Sequence, residues 1–337
     1  MFGVGFWTIW TQFFPPKNGA PITAINLPNQ AGKVFVVTGG SSGLRFELAK
    51  ILYGASGKVY ILSRTKSNVK NAIKAIEDSF TNEGKDSLGK LEYIQIGMAD
   101  LESVRTAARE FTQKETRLDV LFNNAGLASI TKKTKQGLEH MLRVNTKSPA
   151  NSVRVVWSAS ILTEIGTPKG GVRIDRLDNP SNNRRENYSV SKCGNWFVAS
   201  EFARREGQKT GVVSIAGNPG NYLTNVWRST PGYMYYPFWP LVRDPINDAC
   251  PYLWLGFSKD VTMDDAIAGR YETCDGRWHP GQRKDLVLAL KGEEEGGTGQ
   301  ARAFLDWCQR AIAPFSILEP DGVDISRPYV EAGEVEN

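Results

Sequence analysis

The chain has 337 residues, of which 41% are hydrophobic and 23% charged, with 41 basic against 36 acidic side chains and a formal net charge of +5. That is the composition of an ordinary soluble globular protein, long enough to bury a sizeable core as one large α/β domain or two smaller ones. Only two histidines, His140 and His279, leave little material for a histidine-based triad or a zinc site. The four scattered cysteines lack any CxxC pair and point to reduced thiols in a reducing, cytoplasmic compartment.

The chain starts with the apolar stretch MFGVGFWTIWTQFF, which is too short to span a bilayer and lacks the charged n-region and cleavage site of a secretory signal. Two readings stand for it. It packs on the domain, or residues 1–14 make a peripheral membrane contact through Trp7, Trp10, Phe13 and Phe14. From residue 33 strands and helices alternate. KVFVVT (33–38) is a β-branched run followed by a helix around 43–53. KVYIL (58–62) precedes the helical NVKNAIKAIEDSF, and LEYIQIG (91–97) precedes DLESVRTAAREFTQ. LDVLFN (118–123) and VRVVW (153–157) are the fourth and fifth strands, and a long helix at about 188–206 leads to a sixth, GVVSIAG (211–217). The short basic run TKKTKQ (131–136) has no interleaved aromatics and reads as a solvated loop, so no nucleic-acid partner is expected.

This alternation predicts an α/β fold of Rossmann-like type, a doubly wound parallel sheet covered on both faces, in a single domain over residues 31–315. Residues 1–30 form the apolar N-terminal segment. The aromatic- and proline-rich stretch WRSTPGYMYYPFWPLV opens an expected substrate-side lid over 222–265, and 316–337 is an acidic, poorly apolar tail.

Three motifs fall at the places where such a sheet carries its chemistry. TGGSSGLRFELAK (38–50) holds Gly39 and Gly43 in a TGxxxG spacing behind the first strand, where glycine lets backbone approach a pyrophosphate and a helix N-terminus meets its charge. NNAG (123–126) ends the fourth strand. YSVSK (188–192) puts Tyr188 and Lys192 at i, i+4 on one helix face, so an ammonium can sit beside a phenol and bring its pKa towards the working range.

Together these motifs resemble the short-chain dehydrogenase/reductase superfamily over roughly residues 31–310, closest in look to its retinol-dehydrogenase-like and WW-domain-oxidoreductase-like branch. The resemblance implies Tyr188 as catalytic acid/base, with Lys192 lowering its pKa and holding the nicotinamide ribose. It implies Ser160, with Ser158 as the lesser candidate, as the serine that polarises the carbonyl, and Asn145 as support of a proton relay. Gly39, Ser41, Ser42, Gly43 and Leu44 would cradle the cofactor, with Asp100 at the adenine, Asn124 and Gly126 along the fourth strand, and Pro219, Gly220 and Thr224 of PGNYLT at the carboxamide. At the end of the second strand ILSRT offers Arg64 and no acid, which favours NADP over NAD. The expected activity is interconversion of a carbonyl and an alcohol on a small hydrophobic substrate, lipid-like or polyketide-like, in secondary metabolism.

Two departures from the family pattern bear on activity. Arg45 stands where the pattern has a third glycine, and it serves either as a phosphate-binding adaptation or as a hindrance to the cofactor. The crossover between strands four and five, Leu127 to Ser152, holds 26 residues, about five helical turns short of the family's usual length. That shortening leaves the usual homodimer interface helix incomplete. It also keeps a second reading open, a non-catalytic or impaired dinucleotide-fold protein.

Overall fold

The computed structural model describes residues 10–11, 14, 16, 18–81, 87–124, 153–220 and 245–315. The β-branched runs become seven parallel strands in one sheet of order β3-β2-β1-β4-β5-β6-β7. They are β1 (Val34–Thr38), β2 (Lys58–Ser63), β3 (Lys90–Gln95), β4 (Val120–Asn123), β5 (Val153–Ser158), β6 (Val212–Gly217) and β7 (Tyr271–Glu272). Helices α1 (Leu44–Gly54), α2 (Lys66–Phe80), α3 (Leu101–Lys114), α5 (Arg184–Phe202) and α6 (Pro245–Phe257) flank it. The short α4 (Leu162–Ile165) and α7 (Met263–Ile267), then α8 (Lys284–Leu290) and α9 (Gln300–Ile312), complete the described α-helices longer than three residues.

Strand periodicity sorts the core into two layers. Val34 and Val36 point to the face covered by Val104, Ala107 and Phe111 of α3 and by Trp196 and Phe197 of α5. Phe35 and Val37 point to the opposite face, against Leu48 and Leu52 of α1 and Leu253 and Leu255 of α6. Because both faces are covered, strand residues of either parity are buried, which is why these strands read as continuous apolar runs rather than as alternation. β1 aligns Val37 with Ile61 of β2 and with Phe122 of β4, so its neighbours lie on either side and the chain order reverses at its carboxyl end. That reversal is where open α/β sheets bind ligands.

Three expectations change here. The seventh strand is only two residues long, paired as Ala216 with Tyr271 and Gly217 with Glu272, and no periodic run announces it. The long fifth helix begins at Arg184, earlier than expected, and ends in a π turn at Ala203–Gly207. Most of the expected lid over 222–265 lies outside the described residues; its last part, from Pro245, forms a helix with Ala249, Tyr252, Leu253 and Leu255 buried on the sheet. Arg154 of β5 holds the end of that helix, donating to Leu255 O at 2.7 Å and Ser258 O at 2.7 Å. A guanidinium on the last carbonyls meets both their lone pairs and the negative end of the helix dipole, and its burial lowers its pKa to about 10.

The shortened crossover falls in 125–152, outside the described residues, as do Asn145, Gly126, Thr224 and the acidic tail. Among the described residues no helix is long and apolar enough to cross a membrane. The N-terminal segment is tied to the β7 turn. Arg277 donates to Thr11 O at 2.8 Å and Phe14 O at 3.2 Å, and the Cys274 thiol donates to Thr11 O. The stacked rings of Trp10 and Phe14 stay exposed.

Candidate active site

β1 ends at Thr38, whose hydroxyl donates to Phe122 O at 3.2 Å and accepts from Asn124 N at 2.9 Å. One side chain thus locks the ends of β1 and β4 together under the glycine-rich turn. Gly39 has φ 76° and its N–H donates to Leu62 O. Gly43 caps α1 at φ 61°, ψ −148°, a conformation open essentially to glycine alone. Leu44 places its side chain in the core, so only its backbone can face a ligand. The first N–H groups of α1 lack intrahelical partners and point out of the turn, as an anion seat requires.

β2 delivers Ser63 and Arg64 beside this turn. Ser41 Oγ lies 3.4 Å from Ser63 Oγ, and Arg64 is exposed with its carbonyl accepting from Gln95 Nε2. Asp100 caps α3 by accepting from Glu102 N at 3.1 Å, so one of its oxygens already has a structural task. Asn123 and Asn124, at the end of β4, each carry a buried amide nitrogen with no partner among the described residues. Buried donors are ordinarily satisfied, so two orphans at the switch point mark where a polar ligand fits. Gly220 N is held by Asn218 Oδ1 at 3.2 Å, and Pro219 lies beside them after β6.

The opposite side of the cleft comes from α5 and the turn after β5. Asn183 caps α5 through Arg185 N and Glu186 N, which fixes the helix one turn ahead of Tyr188. The Ser160 hydroxyl lies close enough to the Tyr188 phenol to draw its pKa down. Ser158, the other candidate serine, is buried and faces Lys192 instead. Lys192 Nζ donates to Ser158 O at 3.1 Å and reaches Ser158 Oγ at 3.2 Å, with Nζ 5.7 Å from the Tyr188 ring centre. Ser160 itself is gripped by Tyr271 of β7. The phenol accepts from Ser160 N at 3.1 Å and donates to Ser160 O at 2.9 Å.

One expectation about electrostatics is corrected. Tyr188 is held above, not below, the ordinary phenol value. Burial is the largest cause and raises it, while the Ser160 hydroxyl and the Arg45 charge draw it down. Lys192 sits beside the ring with its ammonium turned to Ser158, and Arg45 is a second cation that bears on the phenol.

Sequence reasoning also missed three residues. Asn195 donates to the same Ser158 carbonyl as Lys192, at 2.8 Å. Its i, i+3 spacing from Lys192 is the signal that could have found it. Tyr252 donates to Asn124 Oδ1 at 3.3 Å from α6, and Tyr271 reaches Ser160 across 111 residues of chain. No local pattern encodes either contact. Among the described residues no cluster of His, Cys, Asp and Glu could hold a metal.

Known proteins resemble this chain in sequence and in fold. Residues 33–231 match the family described as short chain dehydrogenase. The chain is similar to the short-chain dehydrogenase/reductase iacJ of Pestalotiopsis fici, 32% identical over 330 residues covering 90% of this chain and 97% of that one. A short-chain dehydrogenase/reductase of Phomopsis amygdali is 34% identical over 334 residues, covering 91% and 96%. Among solved structures, an uncharacterized protein from Mycobacterium Paratuberculosis superposes with TM-score 0.59 at 22% identity, covering 87% of this chain and 97% of that one. The Pseudomonas aeruginosa RhlG/NADP active-site complex superposes with TM-score 0.53 at 16% identity, covering 73% and 96%. Those two structures carry the fold; the sequence matches carry the kinship, and with them the chain belongs to the short-chain dehydrogenase/reductase family of oxidoreductases.

Proposed function

We propose that the protein interconverts a carbonyl and an alcohol on a small hydrophobic substrate with NADP(H). The observation that carries this reading is the nearness of Tyr188 to Ser160, with Lys192 one turn further along α5, at the same end of the sheet as the glycine-rich turn. When bound, the nicotinamide supplies or accepts the hydride. The chain's own residues handle the oxygen. Ser160 donates to the carbonyl oxygen as negative charge develops, and Tyr188 gives that oxygen its proton, or takes it in the reverse direction. Lys192 and Asn195 hold the turn after β5 through the Ser158 carbonyl, which keeps Ser160 in register with Tyr188.

Gly39, Ser41, Ser42, Gly43 and the Leu44 backbone would hold the cofactor's diphosphate. Asn124 would lie along its nicotinamide ribose, Asp100 near its adenine, and Pro219 and Gly220 at its carboxamide. An exposed Arg64 with no carboxylate at the end of β2 favours a 2′-phosphate. The neighbouring structures from Burkholderia cenocepacia and Pseudomonas aeruginosa are described as NADP complexes, which supports the same choice.

The test pairs binding with turnover. NADPH titration by fluorescence should give saturable binding, unchanged within a few-fold in Tyr188→Phe. Carbonyl reduction by that variant should fall by about a thousandfold, as loss of a general acid predicts. A Tyr188→Phe variant as active as the wild type would overturn the assignment.

A further inference from the structure

Arg45 is the second residue of α1, and its side chain runs back across the glycine-rich turn, as helical side chains do. A Cβ built on Gly39 would lie 2.6 Å from Arg45 Nη1 and 3.2 Å from Arg45 Cδ. The guanidinium and the end of its stem therefore cover the open face of the glycine that a diphosphate must approach. Tyr252 of α6 and Tyr188 of α5 are the electrostatic neighbours of the same guanidinium, and burial lowers its pKa.

No carboxylate among the described residues pairs with this cation. Its neighbours are the phenols of Tyr188 and Tyr252 and the positive end of α1. A desolvated charge without a counter-ion is costly, and a second positive feature beside it deepens the deficit. Tyr252, one of these neighbours, donates to the side-chain oxygen of Asn124, which is 8% exposed and whose amide nitrogen has no partner among the described residues. All these groups call for an anion at one place. The atoms that obstruct Gly39 are the distal ones of a flexible side chain, so they can give way without moving the backbone.

From this geometry we infer that Arg45 is an anion-opened latch on the cofactor groove: it covers Gly39, and the diphosphate draws its guanidinium off the glycine and into a direct ion pair. The inference rests on the dinucleotide reading above and adds to it. The backbone seat is supplemented by a side-chain clamp, and entry is selective for a ligand bearing the diphosphate charge. A methionine at this position keeps the obstructing stem but lacks the clamp, so it is the harshest substitution. Glycine removes both obstruction and clamp.

The experiment measures NADPH dissociation constants at several salt concentrations for the wild type, Arg45→Met, Arg45→Lys and Arg45→Gly, with circular dichroism confirming that each variant folds. Arg45→Met should bind at least about tenfold more weakly than the wild type, on the scale of a lost charge-assisted hydrogen bond. Its affinity should also fall less steeply with salt, because one ion pair is gone. Arg45→Lys should recover much of the loss, and Arg45→Gly should lie between wild type and Arg45→Met. Inorganic pyrophosphate should compete with NADPH less well in Arg45→Met than in the wild type. Binding by Arg45→Met as tight as the wild type, with the same salt slope, overturns the latch. Binding by Arg45→Gly alone overturns it too and makes the arginine a plain obstruction. If no form binds NADPH, the dinucleotide reading itself fails, and the latch with it.

Discussion

At the carboxyl ends of β1, β2 and β4 the cleft is lined by groups without a partner among the described residues. These are the exposed Arg64 side chain, the buried amides of Asn123 and Asn124, and the first N–H groups of α1. In the turn after β5 the opposite holds. Ser160 is gripped through both backbone groups by Tyr271, and the Ser158 carbonyl receives Lys192 and Asn195. Trp157 Nε1 donates to Ser214 Oγ at 3.0 Å. The first region is built to be completed by a ligand. The second is completed by the protein, so that reacting groups keep their geometry before a substrate arrives. The contrast separates two physical demands, since affinity needs unsatisfied groups and transition-state stabilisation needs preorganised ones.

The largest expected break is on the binding side. Arg64→Ala should weaken NADPH about ten- to a hundredfold, the scale of charge-assisted hydrogen bonds to a phosphate, while leaving NADH affinity unchanged. Equal losses for both cofactors, read by parallel titrations, would remove Arg64 from the 2′-phosphate site.

On the preorganised side, Tyr271→Phe deletes the hydroxyl that holds Ser160. It should cost about 1–3 kcal/mol of folding stability and lower kcat roughly tenfold with NADPH binding intact. Loss of stability with kcat unchanged would make Tyr271 a packing residue only.

The smallest effect concerns Glu272, which follows Tyr271 and is fully buried. It accepts from Gly276 N at 3.1 Å through one oxygen, and its other oxygen is without a partner. Burial, the largest cause, holds its carboxyl well above the ordinary value of 4.5. A raised folded-state pKa means that the protonated form stabilises the fold. That contribution is fully present below the ordinary value and is lost as pH rises from there towards the folded value. The loss has a slope of up to about 1.4 kcal/mol per pH unit for one proton. Glu272→Gln should flatten that part of the curve, as urea melts at pH 5, 6 and 7 can read.

The same contrast accounts for what the sequence makes legible. The first six strands and the helices between them stand out because burial on both faces demands unbroken β-branched runs, and the glycine turn and the Tyr188–Lys192 pair are local spacings. The Ser160 assignment rests on counting from β5, a short strand whose register with β4 and β6 leaves little room to slip. What stays hidden is held by contacts distant in sequence. β7 is two residues placed by pairing with β6, and Tyr252 meets Asn124 from α6 with nothing in the local pattern to announce it. The bearing of Arg45 on Tyr188 appears only when α1 and α5 face each other. Pattern reports an element's own period, and it is silent on which foreign side chain will be waiting at its end.

The Tyr271 grip also has a consequence for biosynthesis. A chain made from its N-terminus has Ser160 and Tyr188 in hand while the phenol that fixes Ser160 is still 111 residues behind it. Until β7 docks beside β6, the serine turn lacks its brace, and every earlier strand can be in place without yielding a competent site. Completion of the Ser160 turn is therefore a late event in assembly, and a nascent chain halted before Tyr271 carries Ser160 and Tyr188 without the brace that fixes the serine.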